Sequence, residues 1–228
     1  MLYIGSCRYM RGYEWNYFPA RLHTTKEIIY FLENIDNITN IINNNPQDLT
    51  NKIFGDIYHP SVIDSSTRFL QTFDKNIKTL ILEISSRKIF YYNNIPLNYY
   101  YVSSTPALID KYNLKSVVLN DIEIENDLEN IICLSQQIFH KNIEVHVIPH
   151  LNLRTHKLCD YIPDRNIFVN LLEQLCIKKN IHFHNIGKYI ENIDNSSFIE
   201  DYMSDSTHYS RGYDLVKRFL IENIQNGK

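Results

Sequence analysis

Apolar runs of four to eight residues alternate along this chain with longer helical patterns, and few folds accommodate that alternation. "LYIGS", "KTLILEIS", "IEVHVIPH" and "IHFHNIG" read as strands. "TTKEIIYFLENI", "SVIDSSTRFLQTF", "DLENIICLSQQIFHK", "RNIFVNLLEQLCIKKN" and "YDLVKRFLIENI" read as helices. Strands separated by helices of this length argue for βαβ crossovers and a parallel sheet buried on both faces. The expectation is an α/β fold: a three-layer α/β/α sandwich around a mainly parallel sheet, formed as one domain over residues 1–228. That domain is either a whole protein or one part of a longer polypeptide.

Details of the pattern sharpen this. Thr24 as N-cap with Glu27 three residues on predicts a capping box. The asparagine-rich "NIDNITNIINNNPQ" predicts a surface excursion, because its amides favour turns over element interiors. "RKIFYYNNIPLNYYYV" reads as either an edge strand or a lid-like insertion. Its tyrosines either pack over the sheet or stack on a sugar or an adenine.

Composition removes several functions. Net charge is −3, from 23 Lys+Arg against 26 Asp+Glu, so no global basic surface argues for nucleic acid. No apolar run approaches the roughly 18 residues of a bilayer span, and, without a basic start followed by an apolar core, no signal peptide is expected. The 17 Tyr, with many Ile and Asn, read as codon drift of an AT-rich genome such as a large DNA virus. The four cysteines are widely spaced and read as reduced thiols of a cytoplasmic protein, or of the host cytoplasm if the source is viral. Cys133 and Cys176 fall in apolar helical stretches and are expected in the core. His182 and His184 share a strand face without an evident third ligand, so no metal site is expected.

Two end blocks carry chemistry. "YIGSC" puts Cys7 just beyond the carboxyl end of the first strand, the edge where ligands bind in such sheets. "SDSTHYSRGY" places Asp205 and His208 three residues apart, ahead of the last helix. An Asp-x-x-His turn brings a carboxylate to an imidazole and fixes its tautomer; the free ring nitrogen can then serve a nucleophile. An adjacent imidazole lowers a thiol's pKa. Cys7, His208 and Asp205 thus form a candidate triad, the competing reading of Cys7 being a small buried core residue. His23, just before a helix cap, either faces the pocket or is a turn residue. His59 and His150 lie near strand or loop ends.

These blocks resemble the SGNH, or GDSL-like, hydrolase superfamily, and most closely its cysteine-bearing Gly-Ser-Cys branches among glycan and capsule biosynthesis proteins. The resemblance implies a flavodoxin-like sandwich, Cys7 as nucleophile, His208 as base, and Ser6 where the superfamily's motif carries Asp. It puts Gly55, in "IFGDIYHP", at the second-block glycine. Where the third block would supply Gly-x-Asn-Asp, this chain reads "EISSRK". Ser85, Ser86 or a nearby backbone NH then takes the oxyanion role, and Arg87 is placed to neutralise a phosphate or carboxylate. Losing one oxyanion donor costs roughly 3 kcal/mol of transition-state stabilisation, which argues against ordinary ester hydrolysis. The implied function is acyl transfer from acetyl-CoA to a hydroxyl or amine of a sugar or nucleotide sugar, without a metal. The alternatives are an esterase or thioesterase acting on a glycan, and a non-catalytic sugar- or CoA-binding module.

Overall fold

The structure, a computed structural model, describes residues 1–5, 16–53, 76–203 and 218–225. The described chain is α/β, with one parallel and one antiparallel sheet. The parallel sheet holds β1 (Leu2–Gly5), β2 (Asn16–Arg21), β3 (Thr79–Ile84), β7 (Glu144–Pro149) and β8 (His182–Phe183), in the order β2-β1-β3-β7-β8. Every pairing within it is parallel. The chain leaves β1 for β2 on one side, returns to β3 on the other, and then continues outward. The strand order therefore reverses between β1 and β3, and a crevice forms at the carboxyl ends of strands that part in this way.

Alternate residues of the same strands feed two cores. Leu2, Ile4, Leu80, Leu82, Val145 and Val147 pack with Ile28, Phe31 and Leu32 of α1 (Thr25–Glu33). They also join Leu128 and Ile131 of α6 (Asp121–Ile138) and Leu172 and Leu175 of α7 (Pro163–Lys178). Tyr3, Ile81 and Ile148 belong to the second core, with Ile186 and Ile190 of α8 (Ile186–Ile193) and Ile199 of α9 (Ile199–Tyr202). Met203 and the C-terminal Phe219, Leu220 and Ile224 complete it. A strand's period of two sends neighbours to opposite faces, so full burial on both faces requires the near-continuous apolar runs seen in β1 and β3.

Several expectations meet their local test here. The capping box forms: Thr24 Oγ1 accepts from the Glu27 NH at 3.3 Å, and the Thr24 NH donates to Glu27 Oε2 at 3.0 Å. The asparagine-rich stretch is not a bare excursion. It folds into α2 (Ile38–Asn43), because Ile38 and Ile41 are spaced to bury one side, and leads into α3 (Gln47–Ile53), which buries Leu49 and Ile53. Cys133 is exposed on α6, not in the core, since the buried stripe of that helix runs through Ile124, Leu128, Ile131 and Ser135. Cys176 is buried as expected, and desolvation pushes its thiol up to about 12.

The tyrosine-rich segment is an insertion between β3 and α6 with its own sheet. It comprises β4 (Lys88–Tyr92), β5 (Ile95–Asn98) and β6 (Lys115–Val118) in antiparallel order β5-β4-β6. Two short helices, α4 (Tyr99–Ser103) and α5 (Pro106–Tyr112), join β5 to β6. Asn93 and Asn94 take φ of 47° and 67°, the paired left-handed residues that a tight two-residue hairpin demands.

Candidate functional site

The carboxyl edge of the parallel sheet gathers four loop starts: after Gly5, after Ile84, after Pro149, and the turn from β2 into α1. Gly5 is required there by space. A Cβ at this position would lie 2.5 Å from Glu83 Cβ and 2.7 Å from the Tyr3 hydroxyl. Directly beneath, the buried Tyr3 Oη donates to Glu83 Oε2 at 2.7 Å, so a hydrogen-bonded pair underlies the point where β1 ends. Placing a carboxylate in so buried a position is tolerable only with such a partner.

The turn into α1 is locked to the end of β3. The His23 carbonyl accepts from both the Ser85 and the Ser86 backbone NH, each at 3.0 Å. The His23 NH in turn donates to Glu27 Oε2 at 3.2 Å. Glu27 is fully enclosed, and burial raises its carboxyl to about 7 against the lowering effect of donors from Thr24, His23 and Asn98. Asn98 Nδ2 bonds both Glu27 Oε1 and the Arg21 carbonyl, tying the insertion to the same turn. Ser85 and Ser86 therefore have their backbone NH groups engaged, and their hydroxyls are what they can offer a ligand. The Ser86 hydroxyl accepts from the Lys88 NH at 3.0 Å. Arg87 is held as well: Nε donates to the Leu119 carbonyl at 2.7 Å and Nη2 to Asp121 Oδ1 at 3.0 Å.

Beside this turn lies a cavity of about 470 Å³. The loop after β3 contributes Ser85, Ser86 and Arg87, and the loop after β7 contributes His150. The insertion supplies Lys88, Tyr99 and Val118, and the first turns of α7 supply Asp164, Arg165, Ile167 and Phe168. His150 Nδ1 lies 3.1 Å from the Leu151 carbonyl. A carbonyl only accepts, so Nδ1 carries a proton in this contact. The same carbonyl accepts from Arg165 Nη1 at 2.9 Å, which fixes the guanidinium at the cavity wall.

Of the residues singled out in the sequence, Ser85, Ser86, Arg87 and His150 line this cavity, and the His23 carbonyl organises its rim. Cys7, Ser6, Gly55, Asp205, His208 and His59 lie outside the described residues. Their described flanks share a setting: Tyr3, two residues before Gly5, belongs to the same core as Met203, Phe219 and Leu220, which bracket the late Asp-x-x-His block. Tyr99 belongs to the tyrosine cluster that the sequence offered either for packing or for stacking on a sugar or an adenine, whereas Lys88 and Arg165 escaped the sequence reading. Their one sequence signal was position, since each lies near the start of an element, and only the tertiary arrangement brings them together.

A third cluster lies on the second face of the sheet. His146 Nδ1 is 2.8 Å from His184 Nε2, and the His146 ring stacks on His182 with centroids 4.6 Å apart. Among the described residues no group of three His, Cys, Asp or Glu is arranged to hold a metal ion. Among the same residues no helix is long and apolar enough to cross a membrane.

The described fold and edge define an α/β protein with a ligand-sized cavity next to the reversal point of a parallel sheet. Compared with protein-family models, curated proteins and solved structures, the chain matches none.

Proposed function

We propose that this protein is an acyltransferase of the SGNH-like kind, moving an acetyl group from acetyl-CoA to a sugar or nucleotide-sugar hydroxyl or amine in the cytoplasm. The parallel sheet is then the centre of a three-layer, flavodoxin-like sandwich, a reading supported by the delivery of alternate strand residues to two separate cores. In the reaction, the Cys7 thiolate attacks the thioester carbonyl, and the CoA thiolate leaves and takes a proton from the His208 imidazolium. His208 then removes the proton of the acceptor as it attacks the Cys7 thioester, while Asp205 orients the ring. Thiol-for-thioester exchange is close to neutral in energy, which suits a cysteine to a CoA donor.

The observation that carries this reading is the shared core of Tyr3, Met203, Phe219 and Leu220. Residues on either side of the late block pack with the strand that leads to Cys7, as a triad drawn from both chain ends would need. The test is CoA release from acetyl-CoA, with and without a panel of amino-sugar nucleotides. Acceptor-dependent release is expected, abolished by Cys7→Ala and by His208→Ala with folding intact, and reduced to a weak residue by Asp205→Asn. Full activity in Cys7→Ala would overturn the covalent route. A second reading, the non-catalytic binding module, draws support from the Ser85 and Ser86 NH groups. Both are occupied by the His23 carbonyl and so are not free to hold an oxyanion. An ordinary iodoacetamide rate at Cys7 would favour that module.

A further inference from the structure

The cavity beside the reversal point has a charge at odds with the rest of the chain. The whole protein carries a net −3, yet among the described residues the cavity wall presents Arg87, Lys88 and Arg165 against one carboxylate, Asp164. Arg87 is already paired with Asp121. Lys88 is exposed and has no carboxylate partner among the described residues; its ammonium lies 5.7 Å from the centroid of the Tyr99 ring. A local excess of cations on an acidic protein concentrates anions at that site rather than over the whole surface.

Ser85, Ser86 and His150 add uncharged polar groups, and the remaining wall is apolar and aromatic. Val118, Ile167 and Phe168 face the same space, and Val118 and Ile167 are 57% and 62% exposed, more than such side chains need to be. Tyr99 is held rigid by stacking on Phe90, with centroids 5.3 Å apart and an interplanar angle of 14°. A ring fixed in this way offers a flat surface at little ordering cost. The volume, about 470 Å³, falls within the range that takes small organic ligands. An inorganic anion would leave the apolar wall unused, and a neutral sugar would leave the cations unused.

From this combination we infer that the cavity is a subsite for a nucleoside phosphate: Lys88 and Arg165 hold the phosphate, and the base or ribose lies against Tyr99, Ile167 and Phe168. The inference rests on the acyl-transfer reading only for what the nucleotide carries, either the adenosine 3′,5′-bisphosphate end of the acyl donor or the diphosphate of a nucleotide-sugar acceptor. Phosphate recognition by a fixed guanidinium and a mobile ammonium is charge-assisted and screened by salt.

The experiment is calorimetric titration of the full chain, carrying Cys7→Ala so that no turnover intrudes, with adenosine 3′,5′-bisphosphate, UDP, adenosine and uridine. At least one nucleotide is expected to bind, at least about tenfold more tightly than its nucleoside. Lys88→Gln and Arg165→Gln should each weaken the nucleotide about tenfold and leave the nucleoside nearly unchanged. Tyr99→Leu should weaken both, and Tyr99→Phe neither. The bisphosphate binding in preference identifies the donor side, and UDP in preference the acceptor side. Equal affinity for nucleotide and nucleoside, no binding of either nucleotide, or an unchanged Kd in Lys88→Gln would overturn the inference. Acyl transfer that is insensitive to Lys88→Gln at every substrate concentration would remove the subsite and spare the reaction. Lys88-dependent binding without any acyl transfer would do the reverse.

Discussion

The two faces of the parallel sheet are made by the same strands and are chemically unlike. Even-numbered residues of β1 and β3, Leu2, Ile4, Leu80 and Leu82, enter a large core with apolar residues of α1, α6 and α7. The polar groups buried on that side, Thr25, Glu27, Asp127 and Ser135, bond among the helices and the insertion rather than to the strands. The odd-numbered residues put Tyr3 and Glu83 side by side on the other face, and His146 and His182 follow on β7 and β8. On one face the strands contribute only apolar side chains; on the other the strands themselves bury polar groups that need partners. The difference indicates that the first face sets stability, while the second spends part of its stability on polar order beneath the edge where Cys7 and His208 are expected to meet.

The largest expected effect breaks the apolar face. Leu82 is fully buried beside Ile4 in register, and Leu82→Ala leaves a cavity that close-packed neighbours fill only in part. A loss of about 3 kcal/mol is expected, measured by urea denaturation. The nucleotide affinity of the surviving folded fraction should be unchanged, because no part of the cavity wall rests on Leu82 alone. A loss below about 1 kcal/mol would mean that this face is not the main source of stability.

The next effect is smaller and falls on the other face. Gly5→Ala forces a methyl into the space of Glu83 Cβ, 2.5 Å away, and of the Tyr3 hydroxyl. Overpacking of this kind costs about 2 kcal/mol. Here it should also displace the Tyr3–Glu83 pair and the loop that carries Cys7. Any acyl-transfer activity is therefore expected to fall more steeply in Gly5→Ala than in Leu82→Ala, although the stability loss is smaller. Equal loss of activity per unit of stability in the two variants would erase the functional distinction between the faces.

That contrast also marks how far the sequence could be read. The runs of β1, β3 and β7 were legible because burial on both faces demands uninterrupted apolar residues. The start of α1 was legible because Thr24 and Glu27 form a purely local motif. The β2 strand was not: "NYFPAR" contains Pro19, which cannot donate to a ladder and is accommodated because β2 is the outermost strand on its side. Nor was β6, whose four residues are all exposed and gain their strand geometry from pairing with β4. At the site, Ser85, Ser86 and Arg87 were legible as the residues just past a strand's carboxyl end. Lys88, Tyr99 and Arg165 are separated by up to 77 positions (165 − 88) and meet only through the insertion's packing, which no local pattern encodes. The asparagine stretch misled because amide-rich composition suggested turns, while its buried Ile38 and Ile41 decided for helix over Ile38–Asn43.

The smallest effect sharpens the comparison through pH. His146 is pushed down to about 3 by burial and then by the neighbouring His184 and His182. His184 is pushed down to about 4 by burial and then by His182. Both rings sit on the polar face, and Phe219 of the C-terminal segment meets His184 edge-on with centroids 6.0 Å apart. The Glu144 carboxylate, 3.8 Å from His146 Nε2, opposes the shift and is itself largely exposed. In the unfolded chain both histidines titrate near 6.5. Between about 6.5 and 4 the unfolded state therefore binds more protons than the folded one, and stability falls as pH falls through that window. The first face carries an opposing group: burial raises Glu27 to about 7, so the folded state holds its proton over much of the same window, and that term favours folding as pH falls. The net effect is read as a fall in Tm through that window, offset in part by Glu27 and screened at the partly exposed His184. Melting curves from pH 7 to pH 4.5 should show it in the wild type and a flatter dependence in the His146→Leu/His184→Leu double variant. Leu82→Ala should keep the wild-type slope at lower Tm throughout. A slope that survived the double variant intact would place the acid-sensitive groups elsewhere and leave the polar face without its distinct pH response.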